Sequence, residues 1–142
     1  SKGTHQFFGK QAQQKIRDVL ERRKNEIKNS NSLRGSVASW PSDITQIKGK
    51  AFVLTSAFGV EKIIKKFQSG DILVATQTHP NLVPIMKAAS AIITDEGGLT
   101  CHAAIVSREL GKPCIIGTRI GSKIIKSGDT ISITKDGKVV KL

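Results

Sequence analysis

The sequence predicts an α/β domain, layered in the α+β manner with a mixed sheet, preceded by an N-terminal helix. Three observations carry this. Short apolar runs alternate with short amphipathic helices from residue 50 to about 117. Two β-rich segments, Thr130–Thr134 and Lys138–Leu142, meet at Asp136-Gly137, a hairpin turn. Before them, a stretch of helical period fills residues 5–28 without Pro or Gly after Gly9. Alternation predicts parallel strands with crossover helices, and the hairpin adds antiparallel pairing.

In order, the helix at 5–28 rests on Phe8, Ala12, Ile16, Val19, Leu20 and Ile27 at three- and four-residue spacing. Asn29-Ser30-Asn31-Ser32 is a polar stop. Residues 33–47 have no clean period and are expected as a linker, giving a connector at 1–32, the linker at 33–47 and a domain at 48–142. Segment 29–47 is expected to act as a hinge. Ala51–Thr55 reads as a strand, Val60–Phe67 as a helix, Asp71–Ala75 as a strand, and Leu82–Ala88 as a helix with Pro84 in its first turn. Ala91–Thr94 is a strand. His102–Leu110 is a helix closed by Gly111, with Ile105, Val106 and Leu110 as its buried face. Cys114–Ile116 is the last strand before the hairpin.

With 142 residues, 38% hydrophobic and 24% charged, the chain has the length and composition of one globular domain. Tyr is absent, so the core must be aliphatic. No apolar run is long enough to span a bilayer, and the N-terminus has no secretory pattern; no membrane association is expected. Two cysteines, Cys101 and Cys114, are too few for a disulfide scaffold, and a cytoplasmic setting is the expectation. The net charge of +12 favours anionic partners: nucleic acid, phosphorylated metabolites or an acidic protein face. The basic residues of 5–28 spread over several faces without an aromatic stacking platform, which argues against a nucleic-acid module.

The informative stretch is TDEGGLTCHAAIVSRELGKPCIIG, Thr94–Gly117. It reads as strand, glycine loop, helix, tight turn, strand. Gly97-Gly98 permits positive φ or close approach to a ligand. Thr100 stands where an N-cap belongs, which places His102 in the first turn. There the N–H groups lack partners and the helix dipole is positive, so a bound anion is favoured. Ala103 and Ala104 leave room beside the imidazole. A neutral imidazole is a nucleophile, and a phosphoryl group on it would be an anion against that helix end. Two rivals fail on geometry. Adjacent Cys101 and His102 do not face each other on a helix. Zinc at Cys101, His102 and Cys114 lacks paired spacing, and His79 as a fourth ligand is arbitrary.

GGLTCHAAIVSRELGKPCIIG resembles the signature of the mobile, swivelling domain of phosphoenolpyruvate (PEP)-utilising enzymes. In this resemblance the pattern falls on Gly97, Gly98, Thr100, Cys101, His102, Ala103, Ala104, Arg108, Leu110, Gly111, Pro113 and Gly117. GDILVATQTHPNLVPIMKAASAIITDEGG is similar to the phosphoenolpyruvate synthase and pyruvate phosphate dikinase branch, and KSGDTISITKDGKVVKL to the family's closing hairpin. The likeness spans about 48–142. One departure stands out: the Ala-Ser-Pro-Gly turn that usually opens the domain is replaced by Ala38-Ser39-Trp40-Pro41-Ser42-Asp43.

The resemblance implies a swivelling β/β/α phosphohistidine domain whose His102 takes a phosphoryl group from one catalytic domain and delivers it to another. Gly97, Gly98, Thr100 and Arg108 would support it. No cofactor is expected on this domain itself. Magnesium, ATP and PEP belong to the nucleotide-binding and PEP-binding domains expected as partners, so the chain should not turn over alone. The alternatives are a carrier domain of an antibiotic or other small-molecule phosphotransferase, and a basic nucleic-acid-binding module.

Overall fold

The computed structural model describes residues 13–20, 32–55 and 60–142. The chain divides into two units, Ser1–Ser30 and Asn31–Leu142. In the first, residues 13–20 form helix α1, within which the Gln14 amide donates to Asp18 one turn on. The remainder of the helix expected at 5–28, and the stop at Asn29–Asn31, lie outside the described residues.

The second unit contains eight strands and four α-helices among its described residues. The strands are β1 (Ser32–Arg34), β2 (Ser36–Ser39), β3 (Gln46–Leu54), β4 (Ile72–Ala75), β5 (Ala91–Thr94), β6 (Cys114–Ile116), β7 (Thr130–Thr134) and β8 (Lys138–Lys141). The helices are α2 (Val60–Ile64), α3 (Val83–Ala88, entered through a 3-10 turn at Pro80–Leu82), α4 (His102–Leu110) and α5 (Gly121–Ile124). Their order across the sheet is β1-β8-β7-β3-β4-β5-β6-β2.

Strand β3 is nine residues long and joins the antiparallel and parallel halves of this sheet. Gln46–Lys50 pairs antiparallel with β7, and Ala51–Leu54 pairs parallel with β4. Strands β4, β5 and β6 continue in parallel, as the alternation predicted. Such strands need both faces covered, and all residues of β4, β5 and β6 are buried. Period-two alternation sends Leu73, Ile92 and Cys114 to the helix side, where they pack with Leu82, Ile85, Met86, Ala103 and Ala104. Ile72, Val74, Ile93 and Ile115 take the opposite face, on which α5 packs against β4 and β5.

Both ends of the expected linker at 33–47 are part of the sheet, with a turn between them, and the compact unit begins at Asn31 rather than at residue 48. Strand β1 pairs antiparallel with β8, and β2 pairs antiparallel with β6, at the opposite end of the strand order. Only Gly35 separates them, so this one stretch joins the two sheet ends. The junction is tight. A Cβ on Gly35 would sit 2.6 Å from Ile115 Cγ2 and 2.6 Å from the Ile116 carbonyl. Gly35 N–H donates to the Gly137 carbonyl at 3.0 Å. Beyond β2, the departing turn folds on itself, with Trp40 Nε1 donating to the Ile44 carbonyl at 2.5 Å. Thus 32–39 is no hinge; the segment is held by main-chain pairing on both sides of Gly35.

Candidate functional site

Three loops leave the C-terminal ends of β4, β5 and β6 on the same edge of the sheet. In open parallel sheets that edge is where ligands bind. The β5 loop carries the glycines and hands the chain to α4. Thr94 Oγ1 donates to the Glu96 carbonyl at 2.7 Å, folding the loop back on its strand. Gly97 has φ +113°, and a Cβ there would meet Cys101 Sγ at 2.7 Å, so glycine is required twice over. Gly98 has neither constraint: its φ is not positive, and no atom lies near an added Cβ.

His102 is the first residue of α4, in the first turn as its sequence context implied. It is not capped by Thr100. Cys101 holds the N-cap position in extended conformation, without a side-chain cap bond. The reason is the turn before it: Cys101 N–H donates to the Gly98 carbonyl at 3.0 Å. That turn puts Thr100 one residue ahead of the cap, exposed to solvent. The helix ends as expected, on Gly111 in left-handed conformation.

The residue that meets His102 comes from 24 positions earlier. Thr78, in the β4 loop and only 5% exposed, places Oγ1 2.8 Å from His102 Nδ1. Among the described residues Nε2 has no hydrogen-bond partner. Gln77, Thr78, Thr94, Glu96, Gly97, Cys101, His102 and Ala103 line a cavity of about 180 Å3 at this point. His102 itself is half-buried. Of the residues expected to serve the site, Gly97 and His102 are brought together; Arg108 is not. Arg108 Nε donates to the Ala38 carbonyl at 3.0 Å and ties α4 to β2. Almost two helical turns separate it from His102. Sequence reasoning missed Thr78 because its signal is only the placement of Thr-Gln-Thr-His at the end of a strand.

The β6 loop completes the edge. Asp95 is 5% exposed and accepts from Ser122 N–H at 2.8 Å, from the Ser122 hydroxyl, and from the Thr118 hydroxyl at 3.3 Å. This binds the β5 loop to the start of α5. Arg119 N–H donates to the Asp95 carbonyl at 2.8 Å, and Arg119 takes φ +69°. Of the cysteines, Cys101 is half-buried and Cys114 buried. Burial pushes the Cys114 thiol up to about 11.

Comparison with known proteins agrees with this architecture. A probable phosphoenolpyruvate synthase of Archaeoglobus fulgidus is 51% identical over 92 residues, covering 65% of this chain and 12% of its own length. One from Staphylothermus marinus is 43% identical over 123 residues, covering 81% of this chain and 14% of its own. The chain therefore spans about one eighth of the curated relatives it matches. Among solved structures, the Streptomyces coelicolor protein RraAS2, of the RNase ES inhibitor RraA family, aligns with TM-score 0.54 and 20% identity. It covers 78% of this chain and 71% of its own, a likeness of fold alone. Residues 67–137, half of the chain, match the family described as PEP-utilising enzyme, mobile domain. With these residues, its mixed sheet and its histidine-bearing helix, the chain belongs to the mobile-domain family of PEP-utilising enzymes.

Proposed function

We propose that the chain is a phosphoryl carrier in which His102 Nε2 accepts a phosphoryl group from one catalytic domain and releases it to another. The observation that carries this is the pairing of His102 Nδ1 with Thr78 Oγ1 at 2.8 Å, which leaves Nε2 as the free ring nitrogen beside a small cavity. In the neutral ring with its proton on Nδ1, that N–H donates to Thr78 and the Nε2 lone pair is available. Nε2 attacks phosphorus, an N–P bond forms, and the P–O bond to the donor breaks with its electrons leaving on oxygen. The return transfer reverses these bonds. The first-turn N–H groups of α4 favour the added negative charge. Nucleotide, magnesium and PEP would be held by partner domains of the kind expected in full-length phosphoenolpyruvate synthases, where PEP can serve as the phosphoryl donor to His102.

The test is to incubate the chain with PEP and the catalytic remainder of a phosphoenolpyruvate synthase, its own mobile domain removed. Phosphate should appear on His102, labile in acid and stable in base. His102→Ala should take no label, and its unfolding temperature should fall by only a few degrees, the scale of one lost hydrogen bond. Thr78→Val removes one hydrogen bond worth about 1 kcal/mol, so acceptance should slow about fivefold. Phosphate located on His5, His79 or a hydroxyl would overturn the assignment.

A further inference from the structure

The pattern of α4 called for Ile105 on its buried face, yet Ile105 is 46% exposed. Ala103, Ala104 and Ser107 take the inward positions instead. Ile105 lies three residues after His102, one turn along on the same outer side of the helix. Three residues before His102, in the turn that enters α4, Leu99 is 56% exposed. Among the described residues of Asn31–Leu142, only one other large hydrophobic side chain is exposed, Leu142 at the C-terminus. Single exposed apolar residues are ordinary. Two of three flanking one reactive histidine call for a cause.

Resting on the carrier reading above, we propose that Leu99 and Ile105 form an apolar docking rim that the phosphoryl-donating catalytic domain covers whenever it reaches His102. The reasoning is geometric. A donor that brings phosphorus to the His102 ring must approach over the start of α4, where both side chains stand. The occupant is a domain and not a free metabolite. The curated relatives are about eight times longer than their match to this chain, and so contain further domains. Burying two aliphatic side chains supplies affinity at the centre of contact, where few residues dominate. It also keeps water from the N–P bond during transfer and strengthens the electrostatics of the helix terminus.

The test compares two donors on the full chain: the catalytic remainder of a phosphoenolpyruvate synthase with PEP, and the small molecule phosphoramidate. Leu99→Asn and Ile105→Asn each place a polar group on an exposed site, and thermal unfolding checks the fold. Leu99→Ala and Ile105→Ala serve as milder variants. Acceptance from the catalytic remainder should fall about tenfold for each Asn variant, the loss expected of a central contact, with a smaller loss for Ala. Labelling by phosphoramidate should be unchanged. Equal losses with both donors would mean that the side chains act on the histidine chemistry or the fold, and would overturn the proposal. So would unaltered transfer in all four variants. Self-association of the wild-type chain that the Asn variants abolish would make a second copy the occupant, against the proposal. A wild-type chain that takes no label on His102 from either donor would instead remove the carrier reading.

Discussion

Replacing Arg119 by Gly should make the protein more stable, although it deletes a long side chain. Arg119 is the one non-glycine residue with positive φ among the described residues, at +69°. Its side chain is exposed and makes no hydrogen bond or ion pair among them. Holding an L-residue in the left-handed region costs about 1–2 kcal/mol. Glycine releases that cost but returns about 0.5–1 kcal/mol through the freedom it gives the unfolded backbone. The Arg119 N–H bond to the Asp95 carbonyl at 2.8 Å survives either substitution. The balance is a gain of about 0.5–1 kcal/mol, seen as a rise of roughly 2–4 °C in Tm for a domain of this size. Urea midpoints and calorimetry would measure it. Arg119→Ala is the control, because it loses the same charge and side chain but keeps the Cβ that makes the conformation costly. If Ala gained as much as Gly, or if Gly gained nothing, the strain argument would fail.

Two further outcomes concern the site, and a third the loop before β7. Thr100→Ala should change stability by less than about 0.5 kcal/mol in denaturant unfolding, the range for a surface position. A loss near the usual N-cap value of about 1 kcal/mol would restore Thr100 as the cap. Under native conditions at neutral pH a thiol reagent should modify half-buried Cys101. Cys114, buried with its thiol raised to about 11, should react only on unfolding, as peptide mapping would report. The Asp129 carboxyl is held below its ordinary value, first by the backbone N–H of Lys126 and then by Lys141, 3.3 Å away. A depressed folded value contributes stability above the unfolded carboxylate pKa, about 3.9, and loses it as pH falls through the folded value. Asp129→Asn should therefore flatten the acid limb of a stability–pH profile and leave its slope above pH 5 unchanged.

Much of this fold was legible because its central strands are buried on both faces. Ile72–Ala75, Ala91–Thr94 and Cys114–Ile116 are short apolar runs with a helical pattern between them, and a parallel sheet needs that composition. Gly111 was readable because few other residues take the left-handed cap cheaply. Strands β1 and β2 were not legible. Each buries one side chain, Leu33 and Ala38, and otherwise carries Ser, Arg and a half-buried Val37. Their stability comes from main-chain pairing with strands distant in sequence, which local pattern does not encode. Helix α5 is four residues long, below the reach of periodicity. At the site, His102 was found from its surroundings, but Thr78 joins it only in space. Ile105 misled for the opposite reason: helical period marks apolar positions without saying whether a neighbour covers them.

Closure of the sheet at Gly35 has a consequence for the order in which the molecule assembles. Ser32 pairs with Val140 and Ser36 with Ile116, so the seam joins ends of the chain separated by almost the whole domain. Such contacts carry a large loop-closure entropy and form late, after the local βα units have gathered. The seam also touches the edge that carries His102. A Cβ on Gly35 would lie 2.9 Å from Thr118, whose hydroxyl bonds Asp95 beneath the glycine loop, and β2 receives Arg108 from the helix of His102. A partly folded chain can thus hold the parallel sheet and α4 before Arg108 is tied to β2 and Gly35 packs against Thr118. On the carrier reading proposed above, labelling of His102 should return in refolding only with the last phase, later than the recovery of helical circular dichroism.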